Sequence, residues 1–477
     1  MTIVTDSSTQ VRPLSRLGVL VMLAGPFLAG LDFFITNIAL PTIQRSLGAS
    51  AGSLELIVGV YGISYAVFLV LGGRLGDEYG RRRLFVIGLA SFVAASLLAG
   101  LAPTLPVLIA ARVLQGAASA LMTPQTLATF QSTLTGAARG RAIAAYAAAG
   151  GLASAFGQLL GGLLVAGFGW RSIFLVNVPV GVAALVLVRF MVPASRSPKR
   201  VGVDVRGTVL LGLTLALLLL PLAQGPALGW PWWTFASLAV SVCTAAMFIV
   251  WSRVAAGRGI TPLLPLSLVL KAHSMRRGLP VLGVFFGVVG AFMFVFALVA
   301  QDGLGLSSLA AGLAITPVCV AYFITSFQVP RLLERFGRRV LIAGLVLEAA
   351  GLAGAVAAVA SWWGLLSGTE PGIAWGPAVL VMLALIAVGI GQSLGVGSLF
   401  RLILSQVPAS SAGVGGGVLV TAQQTALALG VAALGSVFTT LAVGPAGGMV
   451  FATVVAGGIM AVLTFGLAFA GRALPRA

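Results

Sequence analysis

Apolar residues dominate this chain in runs close to twenty residues long, and short polar segments separate one run from the next. About 20 apolar residues in a helix span a hydrocarbon core roughly 30 Å thick, so each run predicts one transmembrane helix. The pattern predicts an all-α polytopic membrane protein with fourteen spans, at residues 17–40, 53–73, 84–102, 106–128, 142–166, 172–192, 207–223, 232–252, 279–301, 308–330, 340–360, 376–400, 412–440 and 449–471.

A basic hairpin occurs twice between neighbouring spans. The segment 74–82 aligns without gaps to the segment 331–339, and each copy has an acidic residue followed by an aromatic–Gly–Arg–Arg run. Matching hairpins in two halves indicate an internal duplication. We therefore predict a six-plus-two-plus-six arrangement, with an N-terminal bundle at 1–192, a linker with two inserted spans at 193–277 and a C-terminal bundle at 278–477.

Positive charge is concentrated in alternate loops. The chain has 28 Lys and Arg against 10 Asp and Glu, which gives a formal net charge of +18. Placing both termini in the cytoplasm puts most of the basic residues on the cytoplasmic side, as the positive-inside rule requires. The charge then serves topology and contact with anionic lipid headgroups, and it does not indicate nucleic-acid binding.

The sequence offers no site for nucleotide hydrolysis or other enzyme chemistry. No G-x-x-x-x-G-K-[ST] loop, soluble domain of useful size, catalytic cluster or metal-ligand spacing occurs in it. We predict no enzyme activity and no cofactor, with a proton gradient as the energy source. Cys243 and Cys319 fall within predicted spans, where we expect two buried thiols rather than a disulfide.

Two ionisable residues lie well inside predicted spans at nearly the same depth. Asp32 is about 5 Å from the middle of the first span, towards its outer end, and Arg112 lies at a similar level in the fourth. A buried carboxylate costs several kcal/mol unless it is protonated, paired or hydrated. We predict that Asp32 carries a proton and that Arg112 tunes or competes for it. A static ion pair that locks the bundle is the alternative.

Other polar and small residues within the spans carry weaker signals. Glu348 lies near the middle of the eleventh span, and its role stays open. Glu55 lies at the outer end of the second span, where we expect water to solvate it. The fifth span contains small residues and one amide at a spacing typical of close helix packing, namely Gly157, Gln158, Gly161 and Gly162.

Four segments resemble motifs of one transporter family: Gly73–Leu84, Leu108–Gly116, Leu31–Pro41 and Trp170–Gly181. Together they resemble the major facilitator superfamily, and within it the fourteen-span drug:proton antiporters of the EmrB/QacA type. The resemblance covers nearly the whole chain. The chain departs from the family pattern at Gln158, where the antiporter motif has Pro, and at Glu78, where a basic residue is usual.

The resemblance implies the major facilitator fold, in which two bundles rock around a central cavity. The ninth-span phenylalanines, which taken alone are expected to face lipid more often than a cavity, then become cavity candidates, and Glu348 moves towards a structural role. The implied substrate-cavity residues are Asn37, Gln115, Phe285, Phe292, Thr316, Gln392, Gln423 and Gln424. The implied gating residues are Gly73, Asp77, Gly80, Arg81, Arg82, Glu334 and Arg338.

The predicted function is proton-coupled efflux by alternating access in a bacterial inner membrane. The expected partners are an amphipathic or lipophilic drug or metabolite, protons and membrane lipids, and we expect a monomer. Because acidic residues are scarce near the implied cavity, a polycationic substrate is disfavoured. A facilitator or proton symporter that imports a small solute is the alternative.

Overall fold

The computed structural model describes residues 14–193, 204–225, 228–258, 262–263, 272–366, 375–407, 412–443 and 448–474. The predicted cytoplasmic tail before the first span lies outside these residues. Most of the basic linker after the sixth span and of the connector after the eighth span also lies outside them. Fourteen helices in the described part are long and apolar enough to cross a membrane. The predicted all-helical fold with fourteen spans is confirmed.

Seven helices form the first half, and serine caps fix the starts of two of them. Ser15 Oγ accepts a hydrogen bond from Gly18 N at 3.0 Å, and Ser50 Oγ accepts one from Ser53 N at 3.3 Å. Each cap satisfies an N–H group that the helix itself cannot pair. The helices are α1 (Arg16–Leu47), α2 (Ala51–Tyr79), α3 (Arg81–Gly100), α4 (Leu105–Thr133), α5 (Gly136–Phe168), α6 (Ser172–Leu175) and α7 (Asn177–Met191).

Two inserted helices and then the second half follow. The inserted pair is α8 (Val205–Gln224) and α9 (Trp232–Gly257). The second half contains α10 (His273–Leu298), the π-helical segment π1 (Val299–Gly303), α11 (Ser308–Ser326), α12 (Val329–Phe336), α13 (Arg339–Leu366), α14 (Trp375–Leu404), α15 (Ala412–Gly430), the π-helical segment π2 (Val431–Gly435), α16 (Ser436–Val443) and α17 (Gly448–Gly471).

Prolines interrupt two of the predicted spans. The sixth span divides into α6 and α7, because Pro179 has no N–H to donate to the carbonyl of Leu175. The predicted tenth span ends early, at Ser326, and Pro330 starts the short helix α12. The first break matters for function, since it makes Asn177 the first residue of α7.

The two halves of the chain meet along two helix pairs, α2 with α15 and α5 with α11. Glycine permits the second contact. A Cβ atom at Gly162 of α5 would lie 2.6 Å from Ser308 O and 3.3 Å from Gly312 Cα of α11. The backbones of the two halves therefore touch directly at this position.

The inserted pair covers the outside of the seam between α2 and α15. α8 packs on α2 and brings Leu215 and Leu219 into an apolar cluster with Ala428 and Ala432 of the second half. α9 packs on α8 and exposes large apolar side chains such as Trp232, as a lipid-facing helix does. The fold agrees with the six-plus-two-plus-six arrangement, and the residues at which each bundle ends stay predictions.

A close contact between α4 and α2 positions the polar residues of the first half. A Cβ atom at Gly116 would clash with Tyr61 O and with Ser64 Oγ, so only glycine allows α4 to approach so closely. Arg112 lies one turn earlier on α4 and thereby reaches the backbone of α2.

Candidate functional site

Asp32 lies at the centre of a polar cluster buried within the first half. Its side chain is fully buried, and its Oδ2 forms an ion pair with Arg112 Nη1. Its Oδ1 accepts hydrogen bonds from Gln115 Nε2 at 2.9 Å and from Asn177 Nδ2 at 2.8 Å. Three donors directed at one carboxylate match its ionised form, which can only accept hydrogen bonds.

Arg112 is fully buried as well and is held on several sides. Its Nε donates to Ile57 O of α2 at 3.1 Å, and its Nη1 lies 3.0 Å from Gln115 Oε1. The guanidinium carbon is 4.3 Å from the ring centroid of Tyr61 and 5.8 Å from that of Phe174. Nη2 has no hydrogen-bond partner among the described residues. One carboxylate and two aromatic rings therefore stabilise the buried positive charge.

A second layer of polar groups ties the cluster to neighbouring helices. Gln115 Nε2 lies 2.9 Å from Ser96 Oγ of α3. The Tyr61 hydroxyl donates to Ala29 O of α1 at 2.7 Å and lies 2.9 Å from Ser119 Oγ of α4. Side chains from α1, α2, α3, α4, α6 and α7 thus surround one carboxylate, and its geometry is fixed by the packing of the whole half.

Asn177 belongs to this cluster but is not among the residues predicted for it. In the sequence it stands out only as part of the motif that opens the sixth span. The sequence does indicate a polar partner for Asn177, because an amide inside an apolar run is costly in a membrane unless it is hydrogen-bonded. It does not indicate which partner, because the break before α7 determines that Asn177 faces Asp32.

Two residues predicted for the substrate cavity lie elsewhere. Gln115 is fully buried in the Asp32 cluster, because it is three residues from Arg112 and shares its face of α4. Asn37 is buried away from the cluster and donates to Phe33 O at 2.9 Å. Its position five residues after Asp32 rotates it by about 140° around α1.

The predicted cavity phenylalanines are core residues of the second half. Phe285 and Phe292 are seven residues apart and share one face of α10. Phe285 is 1% exposed, with its ring centroid 5.2 Å from that of Phe286. Phe292 is 7% exposed and lies 6.1 Å from Phe296. Both rings are therefore buried, and Phe296 beside Phe292 packs against Ile38 of the first half.

The remaining cavity candidates differ in exposure. Thr316 is half-buried and donates to Gly312 O at 2.9 Å. Gln392 is 4% exposed, and its Nε2 has no partner in the described part of the chain. Gln423 and Gln424 are half-buried on α15. Thr316 and these two glutamines keep the partial exposure that a substrate-facing side chain needs.

Glu348 is a buried carboxylate of the second half. It is fully buried on α13 and lies beside Gln392 of α14. Neither carboxylate oxygen makes a hydrogen bond with good geometry to another described residue. Close packing against Gly391 holds its backbone in place. Its role stays open, as the sequence left it.

The first basic hairpin is fastened within the first half. Arg81 donates to Asp77 Oδ1 from Nη2 at 3.0 Å and from Nε at 3.3 Å, and its Nη1 donates to Ala128 O of α4 at 2.8 Å. Gly80 turns the chain between α2 and α3 with a φ of 104°, a conformation that favours glycine. These predicted gate residues therefore join α2, α3 and α4 at one end of the bundle.

Two further gate candidates also contact helices of the first half. Arg82 Nη2 donates to Arg189 O of α7 at 2.8 Å. Gly73 lies opposite Pro124 of α4, where a Cβ atom would be at an ordinary van der Waals distance of 3.7 Å. Arg82 is therefore the stronger anchor of the two.

The second hairpin uses its equivalent residues differently. Glu334 pairs with Arg401 at 3.8 Å, and both side chains are largely exposed. Arg338 Nη1 donates to Arg472 O at 2.7 Å and to Leu474 O at 3.1 Å. The acid–arginine pair of the first hairpin therefore has no counterpart between Glu334 and Arg338 in the second.

The predicted packing residues of α5 face both halves. Gly157 and Gly161 lie against α1, and Gly162 lies against α11. Gln158 Nε2 donates to a backbone carbonyl of α1 at 3.0 Å and lies 3.7 Å from Met293 Sδ of α10. α5 thus connects the helix that carries Asp32 to the opposite half.

Two predictions about exposure are wrong. Glu55 is 1% exposed, and its carboxyl oxygens lie within hydrogen-bond distance of Ser436 Oγ (2.6 Å) and Thr439 Oγ1 (3.1 Å). The second half covers this end of α2, so a position near a helix end does not imply solvation. Cys243 is exposed on α9 because that helix has only α8 behind it, whereas Cys319 is buried as expected.

The chemistry available to this cluster is that of one buried carboxylate. Among the described residues, no group of three or more His, Cys, Asp or Glu is placed to hold a metal ion. The Asp32 carboxylate accepts one contact at Oδ2 and two at Oδ1. Its negative charge pairs α1 with α4, and a proton on it would weaken that ion pair.

Comparison with known families decides the class of protein. Residues 22–431 match the family model described as Major Facilitator Superfamily. The chain belongs to the major facilitator superfamily. Its assignment to the fourteen-span drug:proton branch stays a prediction.

This major facilitator protein has curated relatives in Streptomyces. It is 36% identical to the "Probable actinorhodin transporter" of Streptomyces coelicolor, over 88% of this chain and 71% of the relative. It is 34% identical to the "Puromycin resistance protein pur8" of Streptomyces alboniger, over 88% of this chain and 81% of the relative. The family and the named relatives identify a transporter rather than an enzyme.

A solved structure supports the fold. The crystal structure of a D-xylose-proton symporter matches this chain with a TM-score of 0.63 and 16% sequence identity, covering 94% of this chain and 96% of the other. At that identity the match shows the major facilitator fold alone.

Proposed function

We propose that this major facilitator protein exports amphipathic, lipophilic small molecules from the bacterial cytoplasm in exchange for protons. Its relatives named for actinorhodin transport and puromycin resistance support export of antibiotic-like compounds. The positive-inside pattern supports an inner-membrane protein with both termini in the cytoplasm. We propose that a monomer suffices, with anionic lipid headgroups at the basic loops.

The ion pair between Asp32 and Arg112 carries the proposal. Removing one partner of a buried pair typically costs about 3–5 kcal/mol, because the other charge is left uncompensated. A proton on Asp32 removes one of these charges and releases Arg112. Proton binding therefore favours a different arrangement of α1 and α4, and that difference in free energy is what couples a proton to a conformational change.

The seam between the halves provides the moving surface. Two side-chain contacts across it lie at the end opposite the basic hairpins. Gln301 Nε2 donates to Ile38 O at 2.7 Å, and Glu55 bonds to Ser436 and Thr439. In the proposed topology this is the outer end, and these contacts would hold the outside closed. The reverse state of the proposed cycle requires them to open.

The polar residues available to a substrate are neutral. Thr316, Gln423 and Gln424 are half-buried and carry hydroxyl or amide groups. Neutral donors and acceptors in apolar surroundings suit a neutral compound or a hydrophobic monocation, since the described residues contain no cluster of carboxylates that offers charge for a polycation.

Transport in proteoliposomes tests this function. Puromycin uptake into vesicles with an acidic interior should exceed uptake without a pH gradient, and Asp32→Asn should abolish the difference. A puromycin flux that does not depend on the pH gradient and is unchanged in Asp32→Asn would instead indicate a facilitator. Puromycin movement in the same direction as protons would indicate a symporter.

A further inference from the structure

A second buried carboxylate joins the two halves at the outer end. Glu55 lies in the second turn of α2 and is 1% exposed. Its Oε2 is 2.6 Å from Ser436 Oγ, and its Oε1 is 3.1 Å from Thr439 Oγ1. Both hydroxyls lie on α16, directly after the π-helical segment π2 of the second half. This contact is separate from the Asp32 cluster, which lies entirely within the first half.

If Glu55 is ionised, the single hydroxyl proton of Ser436 cannot be donated to all three of the acceptor oxygens around it. Ser436 Oγ lies within hydrogen-bond distance of three acceptors, Glu55 Oε2, Leu222 O at 3.2 Å and Ala432 O. A hydroxyl has one proton to donate. A proton on Glu55 resolves the conflict, because the carboxyl group then donates to Ser436 Oγ and leaves the serine proton for a backbone carbonyl.

The surrounding helices supply no positive charge from the second half or the insert. α15, π2 and α16 contain no titratable residue, and α8 contains one, Arg206, in the first turn at its far end. Glu55 forms no ion pair among the described residues. Burial of an isolated carboxylate is unfavourable, and interaction with the positive end of the α2 dipole offsets only part of that free energy.

Charged residues on the first-half helices are engaged or distant. Arg112 of α4 is committed to Asp32 and to Ile57 O, and Arg45 of α1 donates to Pro41 O at 3.2 Å. The other titratable residues on α1, α2 and α3 are Arg16, Tyr61, Tyr65, Arg74, Asp77, Glu78, Tyr79, Arg81, Arg82 and Arg83. Tyr61 bonds within the first half, and the basic residues of the hairpin lie at the opposite end of α2.

The inserted pair forms the third wall of this contact. Gln224 Nε2 at the end of α8 donates to Gly52 O of α2 at 2.9 Å, and the nearby Leu222 carbonyl faces Ser436. Further along the seam, Leu219 of α8 packs with residues of both halves. Glu55 is therefore enclosed by the first half, the second half and the insert together, and separation of the halves would expose it to water.

We propose that Glu55, Ser436 and Thr439 form a second proton-binding site, which closes the outer end when Glu55 is protonated. The open state exposes Glu55 to water, where it ionises, and the closed state binds the proton. Low pH therefore favours closure and high pH favours opening. The proton returns to the outside when the seam opens, so it controls the gate and is not part of the exchanged protons. The proposal rests on alternating access but not on the role of Asp32.

Distance measurements between spin labels test this site. Labels at Ser46→Cys on α1 and Thr440→Cys on α16 report the outer opening, since both positions are exposed. The background carries Cys243→Ser and Cys319→Ala, and the protein is in lipid nanodiscs without substrate. Between about pH 6 and about pH 9 the wild type should shift towards the longer distance, with an open-to-closed ratio that changes by up to about tenfold per pH unit for one proton.

Glu55→Gln should keep the short distance at both pH values, because the amide is always neutral. Ser436→Ala should increase the open fraction at low pH, which tests the site with an independent variant. Glu348→Gln, a matched change at a buried carboxylate that does not cross the seam, should keep the wild-type response. A wild type without pH response, or a Glu55→Gln variant that responds like the wild type, would overturn the proposal. Because no substrate or proton flux is measured, failure here leaves the coupling role of Asp32 untouched, and the reverse also holds.

Discussion

Arg112 Nη1 meets Asp32 Oδ2 at a point where neither side chain is exposed at all. The two residues are 80 positions apart, on α1 and α4, and the same carboxylate also accepts two amide hydrogen bonds. A fully paired buried charge of this kind is stable only while every partner stays in place. The cluster is therefore sensitive both to mutation and to protonation.

Breaking the pair from one side should cost more than removing it. Arg112→Gln leaves Asp32 unpaired and should lower stability by about 3–5 kcal/mol. The double variant Asp32→Asn/Arg112→Gln should recover much of that loss, because no charge remains buried. Apparent melting temperatures in one detergent compare the variants. Equal melting of the single and double variants would show that the two charges do not interact energetically.

Loss of the Asn177 amide should destabilise the Asp32 cluster. Asn177→Ala removes a 2.8 Å hydrogen bond to Asp32 Oδ1. A hydrogen bond to a charged group contributes about 1.5–3 kcal/mol, so the apparent melting temperature in detergent should fall. Asn37→Ala is the matched control, since Asn37 bonds only to its own helix. An equal fall in both variants would exclude a specific role for Asn177.

The two basic hairpins should differ in their response to mutation. Arg81→Ala removes contacts to Asp77 and to Ala128 O and should lower both stability and transport rate. Glu334→Gln breaks a largely exposed ion pair with Arg401. Such a pair contributes about 0–1 kcal/mol to stability, so this variant should change stability and transport rate very little. Melting temperature and transport rate measure both variants. A larger effect from Glu334→Gln would contradict the structural asymmetry.

A larger side chain at the seam should prevent closure. Gly162→Val would push against Ser308 O and Gly312 of α11, and overpacking of this kind costs about 1–3 kcal/mol. The closed outer state should lose about tenfold in population, with a matching fall in transport. Gly167→Val on the same helix has open space around its Cβ position and should behave like the wild type. Equal defects in both variants would point to a general fault in α5.

The sequence predicts where each helix crosses the membrane and how deep each residue lies in it. The fourteen spans follow from the length of the apolar runs, and the meeting of Asp32 with Arg112 follows from their matching depth. Depth does not specify which way a side chain faces. Asn37 hydrogen-bonds to its own helix and Phe285 packs against Phe286, because helix phase and packing decide orientation.

The contacts of two buried residues, Glu55 and Asn177, were beyond prediction for a different reason. Glu55 lies near a helix end, and only the fold shows that α16 of the second half covers it. Asn177 joins the cluster through a break at Pro179 that a continuous apolar run conceals. Both cases depend on irregular backbone, a π-helical segment in one and a proline break in the other, whose positions are not marked by hydrophobic pattern alone.

Substrate-induced proton release from the detergent-solubilised protein is the most direct test of the central claim. Adding puromycin should release protons from the wild type. Asp32→Asn should release none, and Asn37→Ala should release as many as the wild type. Proton release from Asp32→Asn equal to that of the wild type would contradict Asp32 as the coupling carboxylate.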